Sequence, residues 1–419
     1  MGGPAQAETA AAGMVEAGMV IIGAGQGGLQ VAESLRAEGY DGPVTLIGEE
    51  ASAPYHRPPL SKAILAGTME EAQLAIRGAE FFERQRIALL TGTRVAAIDR
   101  SARHVRLEDG RRLDYRGLAL ATGARVRRLP IAGDGLEGVL GLRSLDDARR
   151  IRAALDRAAR VVVIGGGYIG LEVAAAARKR GLEVTILEAA DRLLARSATP
   201  FLAGFYADLH RGQGVTVELG AKVVGLDGQG GRVSAVRTAD GRSHPADLVV
   251  VGVGIVPDTA LAEGCGLACD GGVLVDDCAR TDDPAIVAVG DCTARRTATG
   301  TLLRLESVQN AVEQGKAAAA ALLGRERPFT AAPWFWSDQY DVKLQIVGLS
   351  AAHDRMVLRG SLEERRFSAF YFREGALVAI DSVNRPADHM VGRKLLDRKA
   401  ALTPEQAADE TFPLASLTR

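Results

Sequence analysis

Short apolar runs followed by glycine-rich turns set the first half of the chain. Met19-Val-Ile-Ile runs into Gly23-Ala-Gly-Gln-Gly-Gly28, and the polar and apolar spacing beyond it predicts a helix to about Glu38. A second strand, Val44-Thr-Leu-Ile47, ends at Gly48-Glu49. The plan repeats about 140 residues later. Val161-Val-Val-Ile164 leads into Gly165-Gly-Gly-Tyr-Ile-Gly170, a helix runs to about Lys179, and Val184-Thr-Ile-Leu187 ends at Glu188. Between the copies, Val105–Asp109 and Arg111–Tyr115 flank an Asp-Gly turn and read as a hairpin. Leu118-Ala-Leu-Ala121, closing on Thr122-Gly123, reads as a separate short strand, as do Leu248–Val251 and Ile286–Val289. From about Pro328 aromatic residues gather and short alternating strands follow, such as Lys343–Val347 and Phe367–Phe372, which suggests a separate antiparallel α+β domain.

Composition narrows the class. The 419 residues are 47% hydrophobic and 25% charged, the profile of a soluble globular protein of two to four domains. A net charge of −1 gives no bulk attraction to nucleic acid or membrane, and no apolar stretch is long enough to span one. Residues 1–18 are Ala- and Gly-rich without a basic start and read as a flexible extension rather than a signal peptide. The four cysteines, Cys265, Cys269, Cys278 and Cys292, form no C-x-x-C pair and have no histidine cluster, so no metal site is expected. Inert thiols in a reducing cytoplasm are the expected state.

The two glycine turns carry the chemistry. Backbone N–H groups at a helix N-terminus bind the pyrophosphate of a dinucleotide. The first glycine allows the tight turn, the second lets the backbone approach phosphate, and the third lets helix pack on strand. Gly23, Gly25 and Gly28 satisfy the pattern, and so do Gly165, Gly167 and Gly170. A carboxylate for the ribose is expected about twenty residues on; Glu49 and Glu188 stand there. A carboxylate repels a 2′-phosphate, so Glu188 favours NADH over NADPH, with Arg192 close enough to weaken that preference.

Five segments together carry a resemblance: Pro54-Tyr-His-Arg-Pro-Pro-Leu-Ser-Lys62, Ala121-Thr-Gly123, Gly165–Glu172, Thr281–Asp291 and Trp334-Phe-Trp-Ser-Asp-Gln-Tyr-Asp341. From about Met19 onward the chain resembles the NADH-dependent ferredoxin reductases of cytochrome P-450 and aromatic-ring dioxygenase systems, within the glutathione-reductase-like flavoproteins. The resemblance implies FAD on the first turn and NADH on the second. It places the Ala24 backbone at the FAD pyrophosphate, Glu49 at the adenosine ribose and Val95 at the adenine. It also brings Arg57, Ala121, Thr122, Gly123, Arg143, Asp291, Val308 and Trp336 to the flavin. Tyr168, Ile169 and Gly254 fall with the nicotinamide cofactor. Lys62 and Glu172 are expected as a catalytic pair beside the flavin, with Glu172 in the first turn of its helix, where the dipole also suits a carboxylate. Val95 and Trp336 would otherwise be ordinary core residues, Arg143 and Lys62 ordinary surface ones, Asp291 a cap, and His56 a solvent-facing loop residue.

Relatives that use thiols carry a cysteine near the first turn or a C-x-x-C in the nicotinamide domain; here no cysteine precedes Cys265. That leaves flavin chemistry, and the resemblance implies a hydride from NADH passing to FAD N5 and single electrons leaving to a two-iron two-sulfur ferredoxin. Such ferredoxins are acidic, so a basic docking face is expected, with Arg385, Arg393, Lys394, Arg398 and Lys399, or Arg295, Arg296 and Arg304, as its candidates. Two alternatives stay open: a related reductase serving rubredoxin or ascorbyl radical, and a redox signalling flavoprotein similar to apoptosis-inducing factors. The expected architecture is α/β, with two Rossmann-like dinucleotide-binding domains and a C-terminal α+β domain. Residues 19–122 and 251–328 form the FAD domain, 123–250 the NAD domain and 329–419 the last, in a monomer or weak dimer.

Overall fold

Each glycine turn joins the central strand of a parallel sheet to a helix. In the computed structural model, which describes residues 17–296 and 300–418, strand Gly18–Ile22 lies between Val44–Ile47 and Arg112–Leu120. Ile87–Leu90 extends this sheet on one side and Ile286–Ala288 on the other. The central strand is buried throughout, which is why it carries no polar residue. The second unit repeats the design with Arg160–Ile164 at its centre, Glu183–Glu188 and Thr216–Leu219 on one side and Leu248–Val251 and Val139–Gly141 on the other. Most of the extension expected over residues 1–18 lies outside the described residues, and Gly18 already belongs to the first strand.

Two sequence expectations need revision. Leu118–Ala121 is not a separate strand. It continues Arg112–Leu120, whose first residues pair antiparallel with His104–Leu107 and whose last pair parallel with Gly18–Ile22. Gly117 looks like a break, but it is there for space: a Cβ at that position would lie 2.8 Å from the Met19 sulfur and 2.9 Å from Leu322 Cδ2. The boundary drawn at 250/251 falls inside a strand, since Val251 pairs with Ile164. The chain passes between the two sheets along an antiparallel ribbon of Ala124–Val126 with Ile255–Pro257.

The C-terminal domain is a five-stranded antiparallel sheet in the order Trp334–Gln339, Val342–Gly348, Ala376–Val383, Arg366–Arg373, Arg355–Ser361. Six successive residues of Arg366–Arg373 are buried because both faces are covered. Phe370 and Phe372 pack with Leu395 of helix Pro386–Asp397, whereas Phe367 meets Phe205 of helix Pro200–Gly212 edge-on at 5.1 Å. The sheet is thereby fixed to the second dinucleotide unit, and strand Trp334–Gln339 is held at the junction. Among the described residues no helix is long and apolar enough to cross a membrane.

One buried acid in this sheet makes stability depend on pH. Burial raises the Asp381 carboxyl to about 7, and its remaining help is one hydrogen bond from the Tyr371 hydroxyl at 2.8 Å. The unfolded chain holds that proton only below about pH 4. The folded chain binds it more tightly, so the stability it supplies is complete below about pH 4 and is lost as the pH rises through about 7. Asp381→Asn is expected to unfold several degrees above the parent at about pH 8 and together with it at about pH 4. Calorimetry at the two pH values checks this; equal curves at both would refute it.

Candidate active site

Both glycine turns open on one cavity of about 2250 Å³. At the first, Gly23 has φ +109° and lies against the Ala121 carbonyl. Gly25 precedes helix Gln26–Ala37, and beyond its chain neighbours nothing lies within 4 Å of where its Cβ would be. A Cβ on Gly28 would sit 1.9 Å from the Gly23 carbonyl oxygen. The second turn matches it: Gly165 has φ +103°, the atom nearest a Cβ on Gly167 is 3.8 Å away, and a Cβ on Gly170 would be 2.4 Å from the Gly165 oxygen. In both, the first glycine makes the turn, the second faces open space and the third is wedged. Neither helix has a side-chain cap, so free N–H groups and the dipole face the cavity. This donor set fits the pyrophosphate of a dinucleotide at each turn.

The two strand-end carboxylates differ. Glu49 is exposed on the cavity rim and pairs with Arg94 at 3.7 Å. Glu188 braces its own turn, accepting from Gly166 N at 2.6 Å and Ala190 N at 2.7 Å. Its remaining lone pairs face the cavity wall, where they suit ribose hydroxyls. Arg192 and Arg196 line the same wall. Glu188→Gln should lower kcat/KM for NADH roughly tenfold and narrow its advantage over NADPH, because the charge that rejects a 2′-phosphate is gone. Steady-state rates with the two cofactors check this, and an unchanged ratio removes Glu188 as the selector.

The wall near the first turn is a set of ion pairs. Arg57 pairs with Glu50 at 2.5 Å and donates to Tyr55 Oη at 2.9 Å and to the Arg143 carbonyl at 2.8 Å. Arg143 in turn pairs with Asp291 at 2.8 Å. The Thr122 hydroxyl donates to the Asp258 carbonyl, and Ala24, Ala121 and Gly123 line the same wall. Val95 begins strand Val95–Asp99, and Val308 is the first residue of helix Val308–Leu322, capped by Ser307. Trp336 borders the cavity with its ring 5.6 Å from that of Trp334. On the second-turn side, the Tyr168 ring lies tilted against Phe335 with centroids 4.7 Å apart, and burial raises its phenol. Ile169 is 45% exposed toward the cavity, and Gly254, at φ +100°, lies against Arg196. His56 is exposed and is not on the cavity wall.

Lys62 and Glu172, 110 positions apart in sequence, meet at 2.8 Å where the two units touch. Lys62 follows the tight turn Pro58–Ser61, which aims it across the gap. Glu172 is not in the first turn of its helix, where the sequence reading puts it. The helix begins at Tyr168, so Glu172 lies in the second turn, and its side chain is buried rather than at the N-terminus. A carboxylate in that position needs donors. It has three: Lys62, the Ser61 hydroxyl, and the Ser337 hydroxyl at 2.6 Å. Ser61 and Ser337 were not singled out in the sequence; Ser61 sits within the Pro-Pro-Leu-Ser-Lys segment, and nothing local marks Ser337.

Residues 18–315 match the family model described as pyridine nucleotide-disulphide oxidoreductase, and residues 334–418 match one described as reductase C-terminal. The chain belongs to the pyridine nucleotide-disulphide oxidoreductase family. It is 46% identical over 397 residues to rhodocoxin reductase of Rhodococcus erythropolis, covering 94% of this chain and 93% of the relative. Among solved structures, the ferredoxin reductase for the CYP199A2 system from Rhodopseudomonas palustris has a TM-score of 0.93 at 45% identity, covering 96% of this chain and 100% of that one. The covalent putidaredoxin reductase–putidaredoxin complex gives 0.92 at 42% identity, covering 96% and 98%. As an oxidoreductase of this family, the chain uses FAD and NADH.

Among the described residues no cysteine lies on the cavity wall. All four cysteines are free. Cys292 is buried, donates to the Val289 carbonyl at 3.2 Å, and has its thiol raised by burial, so thiolate chemistry is disfavoured. Among the described residues no group of three acidic, histidine or cysteine side chains suits a metal. Part of the expected basic docking surface is already committed. Arg385 is mostly buried and tied to Asp388 at 2.6 Å and Glu410 at 2.7 Å. Arg295, Arg296 and Arg304 pair with Asp277, Asp270 and Glu306. Arg393 lies over the Trp334 ring at 4.9 Å, next to exposed Lys394.

Proposed function

We propose that the chain is an FAD-dependent NADH:ferredoxin reductase supplying electrons to a monooxygenase or dioxygenase. The observation that supports this is one cavity onto which two glycine turns open, with no thiol on its wall among the described residues. FAD, when bound, takes two electrons from NADH and releases them singly to an iron–sulfur protein. The relatives' names point to the same acceptor, and one reductase of this fold has been solved covalently joined to putidaredoxin.

In this reading Gly23, Gly25 and Gly28 hold the FAD pyrophosphate, Glu49 its ribose and Val95 its adenine. Arg57, Thr122, Arg143, Asp291, Val308 and Trp336 frame the flavin end. Gly165, Gly167, Gly170, Glu188, Tyr168, Ile169 and Gly254 hold NADH, which brings the nicotinamide end beside Lys62. The Lys62 ammonium, fixed by Glu172, stabilises negative charge there without reorganising. A cytoplasmic location is supported by four unpaired cysteines. Arg393 and Lys394, beside Trp334, form the basic face for an acidic ferredoxin. Their joint reversal to glutamate is expected to raise the ferredoxin KM about tenfold at low salt while leaving flavin reduction alone.

Anaerobic stopped-flow tests the whole assignment. NADH should bleach the flavin bands quickly and NADPH slowly, and a two-iron ferredoxin should restore them in two one-electron phases. Bleaching without restoration by ferredoxin would reject the acceptor. A protein with no flavin bands after FAD addition would reject the function.

A further inference from the structure

The contacts of Glu172 extend beyond its three donors. A carboxylate only accepts hydrogen bonds. Ser337 therefore gives its single proton to Glu172 and must accept at its oxygen, from Gln339 Nε2 at 3.1 Å. That turns the Gln339 carbonyl oxygen to His210 Nε2, 2.8 Å away, so Nε2 carries the hydrogen. His210 Nδ1 is left as an acceptor, with the Tyr340 hydroxyl at 3.2 Å. Every donor in the series points toward Glu172. Ser337, Gln339 and His210 are all buried, and burial holds the imidazole below its usual value, in the neutral form the chain requires. The series also joins all three parts of the molecule. Ser61 and Lys62 come from the first unit, Glu172 and His210 from two helices of the second, and Ser337, Gln339 and Tyr340 from the C-terminal domain.

We propose that Ser337, Gln339 and His210 are positioning residues, a one-way hydrogen-bond chain that holds Glu172, and through it Lys62, in place and is itself locked in direction by the Glu172 carboxylate. The proposal rests on Lys62 and Glu172 marking the hydride-transfer site. The chain orients and polarises but does not conduct protons, because passage through Gln339 would require its amide to tautomerise.

The tautomer of His210 is the direct readout. In ¹⁵N spectra of the FAD-loaded protein near neutral pH, Nε2 of His210 should appear protonated and Nδ1 unprotonated. In Glu172→Gln the new amide can donate to Ser337, the direction is no longer imposed, and the Nδ1–H tautomer should become populated. An imidazolium or an Nδ1–H form in the parent, or an identical pattern in Glu172→Gln, overturns the proposal. Gln339→Leu, which cuts the chain away from the cavity, should slow anaerobic reduction by NADH roughly tenfold with the NADH dissociation constant unchanged. An unchanged rate would overturn the positioning role. If NADH fails to reduce the parent, the proposed function fails, and the tautomer measurement still decides whether the chain exists.

Discussion

Gly28→Ala should yield a protein without flavin, and Gly170→Ala a flavoprotein that NADH cannot reduce. A Cβ on residue 28 would lie 1.9 Å from the Gly23 carbonyl oxygen and 3.2 Å from Ile21 Cγ2. The first of these is backbone, fixed by the turn, so the helix must move off the strand. Its free N–H groups then leave the pyrophosphate site, and flavin affinity should fall by at least about a hundredfold. At residue 170 the corresponding distance is 2.4 Å, so the second site is damaged while the first is untouched. Absorbance after gel filtration reports the first outcome and anaerobic mixing with NADH the second. Gly25→Ala is the control, since no atom beyond its chain neighbours lies within 4 Å of its Cβ: the fold should survive and only cofactor binding should weaken. If Gly28→Ala keeps its flavin and Gly170→Ala loses it, the two sites are assigned the wrong way round.

Lys62→Met should both destabilise the protein and slow its reduction by NADH. The substitution leaves the Glu172 side chain, 2% exposed, without its cation. Breaking a buried pair costs about 3–5 kcal/mol. The two serine hydroxyls stay, and Lys62 is itself 17% exposed, so the lower end applies. Reduction by NADH should slow roughly a hundredfold, because a fixed positive charge at the site is lost. Adding Glu172→Gln to Lys62→Met should restore most of the stability but none of the rate. Thermal unfolding and anaerobic stopped-flow separate the two effects. A Lys62→Met protein with parental rate would remove Lys62 from the chemistry.

What the sequence revealed depended on how local each signal was. The two strand–turn–helix units were legible because strand, glycines, helix and acid all fall within about thirty residues, a stretch whose backbone needs decide residue type. The strand Arg112–Leu120 was read as two pieces because the partner of its second half, Gly18–Ile22, is distant in sequence. The Lys62–Glu172 contact was anticipated only through a resemblance; neither residue carries a local mark. Ser337, Gln339 and His210 were invisible because the contacts that join them to Glu172 and to each other span 165 and 129 positions, between the second unit and the C-terminal domain. Arg385 looked free for docking because its burial, and its second partner Glu410, 25 residues distant, are set by the fold. Charge runs in a sequence count ions, whereas the fold decides which of them reach water.

The order in which the chain leaves the ribosome gives the split flavin sheet a further consequence. Its strand Arg112–Leu120 is completed by Ile286–Ala288, and helix Gln26–Ala37 is covered by helix Val308–Leu322. The nicotinamide sheet, by contrast, is complete once Leu248–Val251 emerges. The inserted unit therefore has all its strands while the earlier one still waits with an open sheet edge and an uncovered helix. Closing that gap joins segments more than 160 residues apart, a slow, non-local step, during which the half-built sheet keeps an open edge exposed to aggregation.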